Sequence, residues 1–441
     1  MLRPCSTVNF RTVLGLALPA LGVLAATPLY LLLDTAVVGR LGAEQLAALG
    51  AATTIQAQVT TQLTFLSYGT TARSARAFGA GDAPGAVAEG VQATWVAVVV
   101  GVTLAAAIMV AAPRLCFWLS GDPTVAAAAT QWLRVAALGI PLVLLIMAGN
   151  GWLRGLQNTR LPLLFTLAGV IPSAVLVPFA VARFGLVGSA WANLCGECIT
   201  SALFFGALVR AHSGSWRPQW PMIKAQLALG RDLIARSLSF QVTLISAAAV
   251  AARFGAASLA AHQVLLQVWN LLTMVLDSLA IAAQTLVGSA LGGAVGAAGV
   301  RRVASRVTLY SVILSVILAA IMAAGAWWLP NIFTNSAEVQ EAMSGPWWIM
   351  VAMVIVGGVV FALDGVLLGA ADAAFLRKTT MAAVLCGFLP AVWLALLFDA
   401  GVFGVWCGIA VFLCIRLIAV TWRYRSDAWM GIMVENERGS R

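Results

Sequence analysis

The sequence predicts an all-α membrane protein: twelve transmembrane helices in two six-helix lobes related by a pseudo-two-fold axis along the membrane normal. Three observations lead there. Of the 441 residues, 61% are hydrophobic and only 10% charged, against about 45–50% and 25% in ordinary soluble domains. The charges clump, so that Gly90–Pro113, Leu161–Ala182 and Val307–Ala337 carry none; such runs match the roughly 20 apolar residues a helix needs to cross a bilayer. Finally, stretches of the first half recur in the second at a near-constant offset. Soluble enzymes, disulfide-stapled secreted domains and disordered chains are excluded.

Apolar runs read against charged or Gly/Pro-rich breaks give spans at 12–38, 46–77, 86–112, 124–154, 160–182, 186–210, 232–252, 258–291, 305–330, 343–369, 376–398 and 402–422. Arg3 and Arg11 before an apolar run resemble a signal peptide. The run Thr12–Leu33 is longer than such a segment needs and reaches Asp34, so a retained first span is expected. Nineteen Lys and Arg residues fall on one side of this arrangement, including Arg73, Arg76, Arg154, Arg210, Arg231 and Arg377; the other side holds Arg40, Arg114, Arg183 and Arg253. By the positive-inside rule both termini are expected in the cytoplasm, and the protein in the cytoplasmic (inner) membrane as a multi-pass component. The net charge of +10 is therefore an orientation signal, and no nucleic-acid partner is expected.

The repeat matches Val37–Ala43 to Val250–Ala256 at an offset of 213, and Asn150–Gly155 to Asp364–Gly369 at 214. Six spans per half give both halves the same orientation, as in transporters built from parallel repeats. The expected organisation is an N-terminal lobe over 1–211, a cytoplasmic linker over 212–231, a C-terminal lobe over 232–425 and a tail over 426–441. The only histidines are His212 and His262, which leaves no zinc spacing; Cys195-Gly-Glu-Cys198 lies mid-helix and reads as membrane packing. No cofactor and no metal site are expected.

Carboxylates within the membrane are expensive, so each is a functional candidate. Four stand out: Asp34, Glu197, Asp277 and Asp364. Asp34 lies shortly beyond Pro28, a proline that frees a backbone carbonyl and permits a hinge, so protonation and helix shape could be linked there. Gln263, Gln267, Asn270, Met274, Asp277, Ile281 and Gln284 recur at helical spacing and share one helix face, suited to a wet cavity or to an interhelical hydrogen-bond seam. The second helix offers Thr54, Gln58, Thr61, Gln62 and Phe65 as counterparts. Asp364 opens Asp-Gly-Val-Leu-Leu-Gly, whose small residues at spacing four permit close helix approach; a polar packing contact is the alternative role. Arg231, Asp232 and Arg236 are expected as a cytoplasmic ion-pair cluster, and His262 as a helix-packing residue.

Specific stretches resemble the multidrug and toxic compound extrusion (MATE) family, nearest its DNA-damage-inducible, DinF-like branch. They are Pro28-Leu-Tyr-Leu-Leu-Leu-Asp34-Thr-Ala-Val-Val-Gly39, Gly69-Thr-Thr, Ala77-Phe-Gly-Ala-Gly-Asp82, Arg231-Asp-Leu-Ile-Ala-Arg236, Ala261-His-Gln263, Leu276-Asp277 with Gly288 and Gly292, and Leu363-Asp-Gly365 with Gly369-Ala. The resemblance implies a cation-coupled efflux carrier in which Asp34 is the principal coupling residue of the first lobe. The fifth helix departs from it: Ser173 and Val177, followed by Pro178, stand where many relatives carry Asn and Asp, and Gln284 stands where close relatives often have Glu. Fewer acids make a sodium cage harder to build, which favours the proton as coupling ion, with sodium as the alternative.

The function expected from sequence is exchange of an inward-moving proton for an outgoing amphipathic or cationic small molecule. Asp34, Asp277, Asp364 and Glu197 are the cation-coupling candidates. Tyr30, Gln58, Thr61, Gln62, Phe65, Met147, Gln263, Gln267 and Asn270 are the substrate-binding candidates, and Pro28 the hinge. The partners are a small-molecule substrate and the bilayer, and the protein is expected to be a monomer. A flippase for a lipid-linked precursor is the second transporter reading; only Arg134, Arg236 and Arg416 could hold its phosphate. An intramembrane enzyme is disfavoured because neither a nucleophile–base pair nor a His/Asp metal cluster is present.

Overall fold

A lipid-facing segment must satisfy every backbone hydrogen bond internally, and the chain does so with helices throughout. The computed structural model describes residues 8–293 and 295–431. Its α-helices are α1 (Phe10–Val38), α2 (Ala43–Leu63), α3 (Phe65–Gly79), α4 (Ala83–Ser120), α5 (Pro123–Leu138), α6 (Ile140–Gly155), α7 (Arg160–Phe184), α8 (Leu186–Ala211), α9 (Trp220–Arg253), α10 (Ala256–Gly292), α11 (Gly296–Ala324), α12 (Leu329–Phe333), α13 (Ala337–Gly369), α14 (Ala373–Ala383), α15 (Leu389–Leu397) and α16 (Gly401–Arg425).

These build twelve membrane crossings. Among the described residues, ten helical segments are long and apolar enough to span on their own, one of them α14 and α15 joined by the π-turn Val384–Phe388. α5 and α6 form an eleventh, bent by 43° at Gly139, where Pro141 in the first turn of α6 cannot continue the preceding hydrogen-bond ladder. The twelfth is α2 with α3, interrupted at Thr64 and enriched in Thr and Gln. The segment expected as a linker, 212–231, is helical from Trp220 onward: Lys224 and Arg231 are charges on a long amphipathic start, not a helix stop. Most of the expected tail lies outside the described residues.

The chain divides into two units. One holds Leu18–Gly230, the other Arg231 onward together with the chain up to Ala17. In the second unit the start of α1 is tied down where Arg306 Nη1 donates to the Val8 carbonyl at 2.9 Å and Phe10 meets Tyr310 edge-on.

The repeat is visible in backbone detail. Gly42 and Gly255, at matching places in the two halves, precede α2 and α10 with φ of +127° and +102°, a region open to glycine at little cost. In the first unit α6 packs on α3 through Gly151 and Gly155, where an added Cβ would come within 2.6 Å of Thr70 Cβ and 2.5 Å of Ser74 Cβ. In the second, α13 packs on α10 through Gly365 and Gly369, where an added Cβ would collide with the carbonyls of Ala280 and Gln284. Lipid offers no hydrophobic drive for helix pairing, so such close backbone approach supplies it instead.

Candidate functional site

Asp34 sits on α1, in the first unit, and its residue is 2% exposed. It points inward. Trp132 Nε1 on α5 donates to Ser189 Oγ on α8 at 2.9 Å, and Ser189 Oγ donates in turn to Asp34 Oδ2 at 3.0 Å. Asp34 Oδ1 is buried with no hydrogen-bond partner, and among the described residues no Lys, Arg or His forms an ion pair with it. The result is a fixed carboxylate, oriented by one donor chain and without a counter-charge.

One turn earlier on the same helix, Tyr30 lies within electrostatic reach of both Asp34 and Glu197 and lines a cavity of about 480 Å³. That volume is in the usual range for small-molecule pockets. The cavity is enclosed by α1, α2, α3, α6, α7 and α8, all within the first unit, and its walls alternate aliphatic side chains with Thr, Asn and Gln. Three of its lining residues carry buried polar atoms with no partner: Asn150 Oδ1, Thr166 Oγ1 and Glu197 Oε2. Buried polar groups in proteins are nearly always satisfied, so a cluster facing one chamber marks a place where a guest supplies the missing bonds.

Glu197, on α8, accepts from Asn193 Nδ2 at 2.9 Å through Oε1. Its other oxygen rests against the α5–α6 bend, where a Cβ on Gly139 would overlap it. Glycine is required there: any side chain would displace the carboxylate.

The expected residues divide clearly. Tyr30, Thr61, Met147 and Glu197 line the cavity; Gln58, Gln62 and Phe65 do not. Gln58 is exposed elsewhere, and Phe65 is buried against Gly230. The cavity face of α2 is Thr53, Gln56, Ala57, Thr60, Thr61 and Thr64, shifted by one position, about 100° around the helix, from the face expected. α2 carries Thr and Gln on both sides, so periodicity alone could not fix the phase. α1 runs unbroken through Pro28, so the expected hinge is a continuous helix here. Asn150, Arg154, Ser189 and Trp132 are not among the residues the sequence points to as a site. Asn150 stands out there only as the repeat partner of Asp364, and Arg154 only as an orientation charge.

The second unit is organised differently. Gln263, Gln267 and Asn270 lie exposed along α10, whereas Gln284, on the same expected face, is buried. Asp364, 4% exposed, is bound by Arg236 Nη2 at 2.6 Å and by Arg416 Nη2. Arg416 also lies 4.8 Å from the centre of the Phe240 ring, a cation–π contact. Asp364 is thus already neutralised, and the free cation-coupling carboxylate expected there is an ion-pair centre instead. Arg236 belongs to this centre and not to the neighbouring cluster, in which Asp232 pairs with Arg231 at 3.2 Å and Arg377 at 2.6 Å. Asp277 lies within electrostatic reach of Arg236, Arg416 and Asp364. His262 is fully buried beside Trp406, as a packing residue. Among the described residues no group of three or more His, Cys, Asp or Glu side chains could hold a metal ion.

Comparison with known proteins agrees with this architecture. The MatE family model matches twice, over residues 19–179 and 233–393, one match per half. The DNA damage-inducible protein F of Escherichia coli (strain K12) is 28% identical, over 94% of this chain and 92% of its own. A probable multidrug resistance protein NorM of Rhizobium meliloti (strain 1021) is 27% identical, over 94% of this chain and 93% of its own. A crystal structure of MATE in the bent conformation superposes with a TM-score of 0.89 at 20% identity, covering 95% of this chain and 96% of that one. The chain belongs to the MatE family and is a multi-pass membrane transporter of the multidrug and toxic compound extrusion type, not an enzyme.

Proposed function

We propose that this protein is a proton-coupled antiporter that exports amphipathic or cationic small molecules across the cytoplasmic membrane by alternating access, both termini being cytoplasmic. The observation that carries the reading is Asp34: a buried carboxylate with one oxygen tethered by Ser189, the other unpartnered, and, among the described residues, no basic side chain paired with it. Such a group must acquire a positive charge from elsewhere, as a proton, a metal ion or a cationic guest. A sodium ion would need several oxygen ligands, and among the described residues no cluster of three or more His, Cys, Asp or Glu side chains stands ready to hold a metal ion; a proton needs one oxygen.

Exchange follows from mutual exclusion. With Asp34 protonated, the charge is cancelled and the cavity has no need of a cation; with Asp34 ionised, a cationic or amphipathic guest near Tyr30 becomes favourable. A guest shifts the equilibrium between two conformations only by its difference in affinity for them, so coupling requires that Asp34 change its surroundings between states. One proton crossing 100 mV contributes about 2.3 kcal/mol, which supports accumulation of some tens-fold. The test is transport in proteoliposomes. Wild-type protein should acidify or alkalinise the lumen in step with substrate movement whether or not sodium is present, and Asp34→Asn should lose both while still inserting. Sodium-dependent transport, or proton-coupled transport by Asp34→Asn, would overturn the reading.

A further inference from the structure

We infer that the part of the first unit's cavity nearest the end of α6 is a binding site for an anionic group on the transported molecule, held by Arg154, so that the preferred substrates carry a carboxylate or similar anion as well as an apolar body. This rests on the cavity being the substrate chamber. Arg154 lies in the last turn of α6, is 6% exposed and lines the cavity. Its guanidinium donates to Ser67 Oγ at 3.3 Å and has Tyr68 within electrostatic reach. No carboxylate forms an ion pair with it among the described residues. The contrast within the same unit is Arg73, whose fork is closed by both oxygens of Glu89 at 2.8 and 2.7 Å.

An arginine cannot shed its charge, and burying a guanidinium without a counter-ion is costly. Its planar donor fork matches a carboxylate or phosphate bidentately. In the same chamber Thr166 Oγ1 is buried and unpartnered, able to donate to an anion, and Asn150 Oδ1 is buried and unpartnered, able to accept from an N–H or O–H elsewhere on the guest. The cavity's one lining carboxylate, Glu197, stays clear of Arg154. It abuts Gly139, just before the start of α6, and the helix axis rises about 21 Å from Ile140 to Arg154. An arginine and a carboxyl group held apart in a chamber of mixed aliphatic and Thr, Asn and Gln side chains suit a molecule that is anionic at one end and apolar or cationic at the other.

The experiment compares two probes, a fluorescent amphiphile bearing a tertiary amine and a carboxylate, and its methyl ester. Binding is measured by fluorescence on purified full-length protein without a proton gradient, so the outcome is independent of antiport. The wild type should bind the carboxylate form at least tenfold more tightly than the ester, as expected for one charge-assisted bidentate contact. Arg154→Gln should erase that ratio, and Arg154→Lys should keep most of it. Equal binding of the two probes by the wild type, or an equal loss for both in Arg154→Gln, would overturn the inference and leave Arg154 a structural residue. The measurement is repeated in vesicles of phosphatidylcholine with and without phosphatidylglycerol. The ratio should be the same in both; its disappearance with phosphatidylglycerol would assign the site to a lipid headgroup and overturn the substrate assignment.

Discussion

Asn150 and Asp364 occupy matching places in the two halves, both buried on a helix that packs by glycine against its neighbour, yet their surroundings are opposite. Asn150 opens onto a cavity and carries no charge, whereas Asp364 is gripped through Oδ2 by Arg236 and Arg416. The offset of 213 carries the contrast further: Val23 stands where the other half has Arg236, Thr64 where it has Asp277, and Asp34 where it has Ala247. One scaffold has therefore been used twice, once emptied around a lone acid and once filled with ions that answer each other. The lesson is that a charge in the membrane is not by itself a coupling site. The lone one without a partner has work left to do, and the partnered one holds the helices together.

The largest effect that follows is on stability. Asp364→Ala strands the buried Arg416 and the half-buried Arg236 and should cost about 3–5 kcal/mol, whereas Asn150→Ala, which breaks no hydrogen bond of Oδ1, should cost less than about 1 kcal/mol. Thermal unfolding in detergent checks the pair. Similar losses for both would erase the distinction between a plugged half and an open one.

A second effect sharpens the same contrast at the bend between α5 and α6. Met353 stands at the matching place in the other half, inside the unbroken helix α13. Gly139→Ala should push Glu197 away from the bend, cost about 1–3 kcal/mol as overpacking does, and lower transport by several-fold. A wild-type rate would show that the position of Glu197 does not matter.

The smallest effect concerns two helix starts, again at matching places in the two halves. Asp122 Oδ1 accepts from the Thr124 and Val125 amides at 2.7 and 3.1 Å, whereas Ser336 makes no such cap. The Thr124 hydroxyl and these amides hold the Asp122 carboxyl below its ordinary range. Its cap therefore stabilises above the unfolded carboxylate pKa of about 4 and fades as the pH falls through the lower folded value. Asp122→Ala should lower the melting temperature slightly at neutral pH, with the gap to wild type closing in acid, while Ser336→Ala changes nothing at any pH. A gap independent of pH would remove the ionised cap from the explanation.

Much of this is legible in the sequence. Charge-free runs mark the spans, and the repeat marks the halves and the glycine contacts of α6 and α13. The cost of carboxylates in oil singles out Asp34 and Glu197. What stays hidden depends on contacts between distant residues. Arg236 and Arg416 are far from Asp364 along the chain, and no local pattern announces their meeting. The phase of α2 is not legible because polar residues encircle it. Arg154 gives no distinct signal, since an arginine at a helix end reads equally well as a topology marker. The bend at Gly139 does have a local sign, Gly139-Ile140-Pro141, the short punctuation that marks a break.

The most direct check is a count of protons. In lightly buffered detergent solution, adding substrate to wild-type protein should release protons, in an amount that tracks occupancy, as the guest displaces the proton of Asp34 into solution. Asp34→Asn, held in the neutral form, should bind substrate more weakly and release no protons even at matched occupancy. Equal release by the two proteins would place the exchanged proton on another group and contradict coupling at Asp34.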